Sequence, residues 1–90
     1  MTRSEEMGQH THILKTLDDG KLFSATSVAI FARDHGLLAG KEPVHIEMQR
    51  IRILCWRLAM NVGFPIDGDG KQLGMPTWTG KRWKEALHCD

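Results

Sequence analysis

Apolar side chains recur every three to four positions along most of the chain, which predicts a mainly helical protein. A first helix is expected to continue to about Asp19 and to stop at Gly20. Its buried face is predicted to hold Met7, Leu14 and Leu17. Residues 1–8 are interpreted as a loose, disordered start in which Ser4 is a candidate helix cap.

The second helix has clearer boundaries. Ser24 or Thr26 can cap its start, and Gly36 is expected to end it directly after His35. Its predicted core stripe consists of Val28, Ala29, Phe31 and Ala32. A short connection with Gly40 leads to Pro43, a residue suited to the first turn of the next helix.

The third helix is predicted to span about Val44 to Val62. At 100° per residue, a core stripe lies within about 80° of Ile51. That stripe comprises Met48, Ile51, Leu54, Cys55, Leu58, Ala59 and Val62. The opposite face mixes polar with apolar side chains, namely Gln49, Arg50, Arg52 and Arg57 with Ile46, Ile53, Trp56 and Met60. Such a face indicates either a helix covered on both sides or an apolar strip kept for a partner.

The C-terminal part is predicted to hold a short β-hairpin and a last helix. Phe64–Ile66 is expected to be extended, Asp67–Lys71 to form a tight turn and Leu73–Trp78 to return as a strand. Thr79 is then predicted to cap a helix over Lys81–His88. On that helix Trp83 and Leu87 share one face. The expected fold is one small, mainly α domain over residues 1–90, with a short β-hairpin.

Charge and composition limit the classes of function that the sequence supports. The 90 residues carry a formal net charge of only +1, which argues against high-affinity, non-specific binding to nucleic acid. Between Lys71 and Lys84, however, there are four basic residues and no acidic one. No apolar run approaches the length of a membrane span and no signal peptide is visible, so a cytoplasmic protein with no membrane contact is expected. Cys55 is expected to be a buried thiol.

Two segments resemble winged-helix and helix-turn-helix DNA-binding domains. The run ILKTLDDGKLFSATSVAIFARDHGL, from Ile13 to Leu37, is similar to the opening of a winged-helix domain. The run RLAMNVGFPI, from Arg57 to Ile66, resembles the end of a third helix that enters a wing. The resemblance implies a small helical domain whose predicted hairpin is the wing.

A narrower resemblance connects LAMNVGFPI and TWTGKRWKEAL to the DNA-binding segment of serine recombinases. The matching positions are Asn61, Gly63, Pro65, Trp78, Trp83 and Leu87. The segment from Asp67 to Pro76 is longer than expected for that family. These 90 residues hold no match to the catalytic domain of that family, so strand-exchange chemistry is not expected.

These resemblances imply a regulator or accessory factor, such as one from a phage or other mobile element, that binds double-stranded DNA. The implied phosphate contacts come from Lys71, Lys81, Arg82 and Lys84, flanked by Arg50, Arg52 or Arg57. Arg82 is the better candidate for reading a base, because a guanidinium can grip guanine bidentately. Trp78 could pack on a sugar or base, but packing against Trp83 is the favoured alternative. Either the third or the last helix would enter the major groove.

A second hypothesis is a protein-binding module that inhibits or adapts a larger partner through the apolar strip of the third helix. That strip consists of Ile46, Ile53, Trp56 and Met60, a composition typical of interfaces. A homodimer is also considered.

Enzyme and metal functions are not expected. The Asp67–Lys71 turn resembles a calcium loop but has Lys71 where a carboxylate is required, and Trp78 at the closing glutamate position. His10, His12, His88 and Cys89 could supply metal ligands, but their spacing is not that of a zinc site. No nucleophile elbow, phosphate-binding loop or dinucleotide fingerprint is present. We therefore predict no catalytic residues and no cofactor.

Overall fold

The computed structural model describes residues 10–63 and 76–88. Residues 10–15 form helix α1. The elements that follow are β1 (Leu22–Phe23), α2 (Ala25–Asp34), α3 (Val44–Val62), β2 (Trp78–Thr79) and α4 (Gly80–Ala86). The predicted fold class is therefore confirmed as a small, mainly helical domain with a two-stranded antiparallel sheet.

Helix α2 has the predicted boundaries, and both are set by specific hydrogen bonds. The Ser24 hydroxyl accepts a hydrogen bond of 3.1 Å from the Ser27 N–H at the start of the helix. At its end, the Leu37 N–H donates to the Ala32 carbonyl at 2.9 Å, and Gly36 has a φ of 67°. This is the Schellman arrangement, in which a left-handed residue lets the chain turn back over the last carbonyls of a helix.

Helix α3 spans the predicted residues. Pro43 lies at the N-cap position rather than inside the first turn, and its carbonyl accepts a hydrogen bond of 3.1 Å from the Glu47 N–H. Gly63 ends the helix with a φ of 82°. A side chain at Gly63 would be strained in this left-handed conformation, so the glycine determines where the helix stops.

Helix α1 ends earlier than the sequence predicted. Its last helical residue is residue 15, so the expectation that it continues to about Asp19 was wrong. The Thr16 hydroxyl donates a hydrogen bond of 2.7 Å to the Ile13 carbonyl, and the Thr16 and Leu17 N–H groups bond to carbonyls three residues back. Such local bonds compete with the helical ladder and tighten its final turn.

The sheet joins distant parts of the chain. Leu22 pairs with Thr79, and Phe23 pairs with Trp78. A strand at Trp78 was predicted, but its partner among the described residues is β1, which the local hairpin prediction did not foresee. The predicted strand Phe64–Ile66 and the turn that follows it lie outside the described residues.

The core lies between α1, α2 and α3 and is closed by α4. The predicted stripe of α3 is confirmed, since Ile51, Leu54, Cys55, Leu58 and Ala59 are buried and Met48 and Val62 pack partly against the core. The other core members come mainly from α1, α2 and α4: Ile13, Leu14, Leu17, Phe23, Ala25, Val28, Ala29, Ala32, Trp83 and Ala86. Burial raises the pKa of the Cys55 thiol to about 12, so this cysteine acts as a small apolar side chain.

Helix α4 begins at a point of close backbone contact. Thr79 caps it, as predicted, by accepting a hydrogen bond of 3.2 Å from the Arg82 N–H. The helix starts at Gly80 and ends at Ala86, slightly before the predicted range. A methyl group on Gly80 would collide with the Asp18 carbonyl oxygen and lie 2.7 Å from its carbon. Gly80 thus allows α4 to start directly against the connection between α1 and β1.

Candidate functional site

A groove of about 350 Å³ separates the start of α2 from the outer face of α3. We call it the α2–α3 groove. The start of α2 contributes its cap Ser24 with Ala25 and Thr26, and α3 contributes Gln49, Arg52, Ile53 and Trp56. The four α3 residues follow the spacing of neighbours on one helix face. The fold therefore brings an exposed face of the longest helix beside the first turn of another.

The side chains of the groove combine three kinds of chemistry. Arg52 and Gln49 are exposed and supply several hydrogen-bond donors and one amide acceptor. Trp56 is half-buried and Ile53 is 43% exposed, so both offer apolar surface. Arg52 and Gln49 can thus hydrogen-bond to the polar edge of a ligand, while the two apolar side chains cover an adjacent apolar part of it.

The charges around the α2–α3 groove favour the binding of an anion. Arg52 is the charged side chain among the described residues that line it, and none of those residues is acidic. The first turn of α2 adds partial positive charge, because backbone N–H groups at a helix start point out of the helix. The Ser24 hydroxyl is already engaged, with Ser27 as its partner.

The other α3 residues proposed from the sequence lie elsewhere on the helix. Arg50 binds Glu42 bidentately, with nitrogen to oxygen distances of 2.8 and 3.0 Å. Arg57 and Ile46 are half-buried, whereas Met60 is 53% exposed. Of the basic and apolar residues predicted on this helix, the groove thus brings together Arg52, Ile53 and Trp56.

Two basic residues of the C-terminal part, Arg82 and Lys84, contact neighbouring side chains. The Lys84 ammonium lies 2.7 Å from an Asp19 carboxylate oxygen and, by hydrogen bond and charge, lowers the pKa of that carboxyl below its usual value. The Arg82 guanidinium lies 4.9 Å from the centre of the Trp78 ring. Lys81 is exposed, and Lys71 lies outside the described residues.

Trp78 packs on the core. It is half-buried, and its ring centre lies 4.5 Å from that of Trp83 with the planes tilted by 49°. This is the structural role that the sequence analysis favoured over a contact with a sugar or base. One face of the ring carries the packing with Trp83, and the Arg82 guanidinium covers part of its surface.

Glu47 is a buried carboxylate that the sequence analysis overlooked. One of its oxygens accepts a hydrogen bond of 2.7 Å from the Ala39 N–H, and the other accepts one of 3.0 Å from the Gly40 N–H. These bonds hold the connection between α2 and α3 and so set the start of α3. A signal existed, because Glu47 lies only about 40° from Ile51 on the helical wheel, where an acidic residue is unexpected.

The candidate metal ligands do not form a site in the described part of the chain. His10 is buried, and burial lowers its pKa below the ordinary value of 6.5, although the Glu47 charge opposes that shift. His12 and His88 are exposed, and Cys89 lies outside the described residues. Across residues 10–63 and 76–88, no three His, Cys, Asp or Glu side chains are grouped so that they could hold a metal ion.

No helix in the described ranges is both long and apolar enough to cross a membrane. Comparison with known proteins identifies no relative, since no family model, curated protein or solved structure matches the chain significantly. The function of the α2–α3 groove, and that of the basic residues in the C-terminal part, must therefore be inferred from their geometry.

Proposed function

We propose that this protein is a small regulator or accessory factor that binds double-stranded DNA through the α2–α3 groove. The observation that carries the proposal is the arrangement of the exposed Gln49 and Arg52 and the half-buried Trp56 on one face of α3, beside the first turn of α2. No described residue of that groove would repel a phosphate. The mainly helical fold provides the rigid support that such a surface needs.

The chemistry of this face suits the major groove of B-DNA. Arginine can bind the two acceptors of guanine, and glutamine can bind the acceptor and donor of adenine. Gln49 and Arg52 are three residues apart, so they project from the same side of the helix. Trp56 and Ile53 could contact thymine methyl groups or sugars, while the start of α2 faces a phosphate.

We infer that α3, rather than α4, enters the major groove. Helix α3 has 19 residues and a length of about 28 Å, whereas α4 has seven residues. Arg82 lies over Trp78, and Lys84 is paired with Asp19. Helix α4 therefore suits a supporting role, in which Lys81 and Arg82 contact backbone phosphates on the flank of the site.

The connection between α2 and α3 departs from a simple helix-turn-helix. It covers the nine residues 35–43, whereas the tight version of the motif uses three or four. The Glu47 carboxylate compensates by holding this longer connection at Ala39 and Gly40. The order helix, strand, helix, helix and strand is compatible with the winged-helix resemblance, in which a wing follows the third helix.

The test is equilibrium binding of a labelled duplex, preceded by selection of a preferred sequence from a random library. Arg52→Ala is expected to weaken binding about 5- to 150-fold, the equivalent of about 1–3 kcal/mol for a good bidentate base contact. Arg33→Ala is the matched control, because it removes the same charge from an exposed position on α2 outside the groove. No binding at low salt, or equal losses for the two variants, would contradict the proposal.

The alternative function is protein binding through the same helix. Ile53 and Met60 are 43% and 53% exposed, so α3 offers apolar surface that a partner could cover. On this hypothesis Trp56→Ala leaves the melting temperature nearly unchanged and abolishes capture of a protein partner. A strongly lowered melting temperature without a binding defect would remove Trp56 as an interaction residue. Met60→Ser separates the hypotheses further, because it lies outside the α2–α3 groove and should not affect DNA binding.

A further inference from the structure

A second groove, of about 290 Å³, lies between β1 and α2. We call it the β1–α2 groove. Its apolar lining includes Leu22 from β1 and Ile30 and Phe31 from α2. Among the described residues it shares no lining side chain with the α2–α3 groove. It is therefore a separate candidate surface.

The surface of this groove combines a protruding side chain with a depression. Leu22 is 62% exposed, the largest exposed fraction among the large apolar residues that the structure describes. Ile30 is 38% exposed on the facing helix. Aromatic contacts form the floor, because Phe31 meets Phe23 edge to face with ring centres 5.6 Å apart and stacks on His35 at 4.1 Å.

The same surface also carries one charge of each sign. Lys21 lies directly before β1 and Asp34 is the last residue of α2, and both line the groove. The Asp34 carboxylate is half exposed, and among the described residues it is paired with the neighbouring Arg33 at 3.1 Å. An ion pair between two exposed, adjacent residues is weak. Asp34 can therefore exchange Arg33 for a cation that forms a stronger ion pair.

We propose that a second copy of this chain occupies the β1–α2 groove and forms a two-fold symmetric dimer. In such a dimer Leu22 enters the groove of the partner, and Lys21 faces Asp34 of the partner subunit. Two-fold symmetry then repeats both contacts. A symmetric interface requires a patch that is complementary to itself. This surface meets that requirement because it holds the protruding Leu22 side chain, the apolar groove that would receive it and both charges.

The arrangement points to a second copy rather than to an unrelated protein. An unrelated partner would have to supply its own apolar side chain, its own recess for Leu22 and charges opposite Lys21 and Asp34. Within a symmetric pair, every one of these features has its partner in the same sequence. The interface uses none of the described residues that line the α2–α3 groove, so the dimer proposal does not rest on the proposed DNA binding.

The experiment is sedimentation equilibrium of the purified chain without DNA, from micromolar to millimolar concentration. A concentration-dependent dimer is expected for the wild type, and Leu22→Asp should abolish it while leaving the melting temperature nearly unchanged. Lys21→Asp and Asp34→Lys should each raise the dimer dissociation constant about tenfold, because symmetry introduces every substitution twice. The double variant restores both pairs and should return to within about threefold of the wild type.

Ile53→Asp is the control, since it places the same charge on an exposed apolar site in the other groove and should not affect the dimer. A wild type that stays monomeric throughout would overturn the proposal. So would a dimer that tolerates Leu22→Asp, a double charge reversal that fails to restore association, or an equal loss with Ile53→Asp.

Discussion

The Trp83 indole N–H donates a hydrogen bond of 2.9 Å to the Phe23 carbonyl, a residue 60 positions earlier in the chain. Trp83 is fully buried, and this bond ties α4 to the end of β1. Because neither the indole N–H nor the carbonyl can reach water, this one bond gives each of them its hydrogen-bond partner.

Trp83→Phe should therefore destabilise the protein by more than its small loss of apolar surface. The variant keeps an aromatic ring but leaves the Phe23 carbonyl without its donor, which costs about 1–3 kcal/mol. Chemical denaturation measures the free energy of unfolding. Trp78→Phe is the matched control at a half-buried site and should cost less. Equal losses in the two variants would show that the hydrogen bond contributes little.

Leu54→Ala and Leu58→Ala should each lower the free energy of unfolding by about 2–5 kcal/mol, since both side chains are buried in the centre of α3. That is a large part of the stability of a small domain, which is about 5–15 kcal/mol. Ile53→Ala, on the exposed side of the same helix, should change it by less than about 0.5 kcal/mol. Thermal melts that rank the three variants otherwise would show that the packing is misassigned.

Gly80→Ala should destabilise the fold by about 1–3 kcal/mol or more, because the added methyl group would meet the Asp18 backbone. Either α4 must shift or the connection between α1 and β1 must move. Gly20→Ala adds the same group at a position with no atom within 4 Å and should be nearly neutral. If both substitutions have the same effect on the melting temperature, the close approach at Gly80 is not a constraint.

Protonation of His10 should make the protein less stable at mildly acidic pH. Burial lowers the pKa of His10 below 6.5 in the folded state, so the unfolded chain takes up the proton first. The stability that the neutral imidazole contributes is therefore complete above about pH 6.5 and is lost as the pH falls towards the folded-state pKa. Measuring the free energy of unfolding between about pH 7.5 and 5 tests this. The decline should be shallower in His10→Gln, and an equally steep decline in that variant would contradict the prediction.

DNA binding, as proposed, should weaken steeply with salt. Neutralisation of about four phosphates gives a slope of roughly −3 to −4 in a plot of log affinity against log salt. Candidate contacts are Lys71, Lys81 and Arg82, with Arg52 on α3. A titration of affinity against salt concentration measures the slope. Binding that does not depend on salt would mean that phosphates are not contacted.

The helices were the predictable part of the fold. The boundaries of α3 follow from Pro43, Gly63 and a periodic core stripe, all of which are local signals. Helix α1 was predicted too long because the hydroxyl of Thr16 ends it through a bond to the Ile13 carbonyl. The identity of a residue does not reveal which of its local hydrogen bonds will form.

The pairing of β1 with β2 was beyond such reasoning. A strand of two residues has no alternation to detect, and its partner lies more than 50 positions away. The α2–α3 groove could be predicted only in part. Arg52, Ile53 and Trp56 were placed on one outer face, but that the start of α2 lies beside them depends on how the helices pack. The roles of Arg82 and Lys84 depend in the same way on Trp78 and Asp19 being close in space.

The long-range contact between Phe23 and Trp83 also has a consequence for the order of folding. Joining two points about 60 residues apart carries a loop-closure entropy of about 3–4 kcal/mol, whereas α2 and α3 are neighbours in sequence and can associate earlier. We expect the helical pair to form the folding nucleus and β2 with α4 to dock last. Substitutions at Trp83 would then mainly accelerate unfolding, and those at Leu54 would slow folding. The segment that contains β2 and α4 is thus expected to complete the domain at the end of folding.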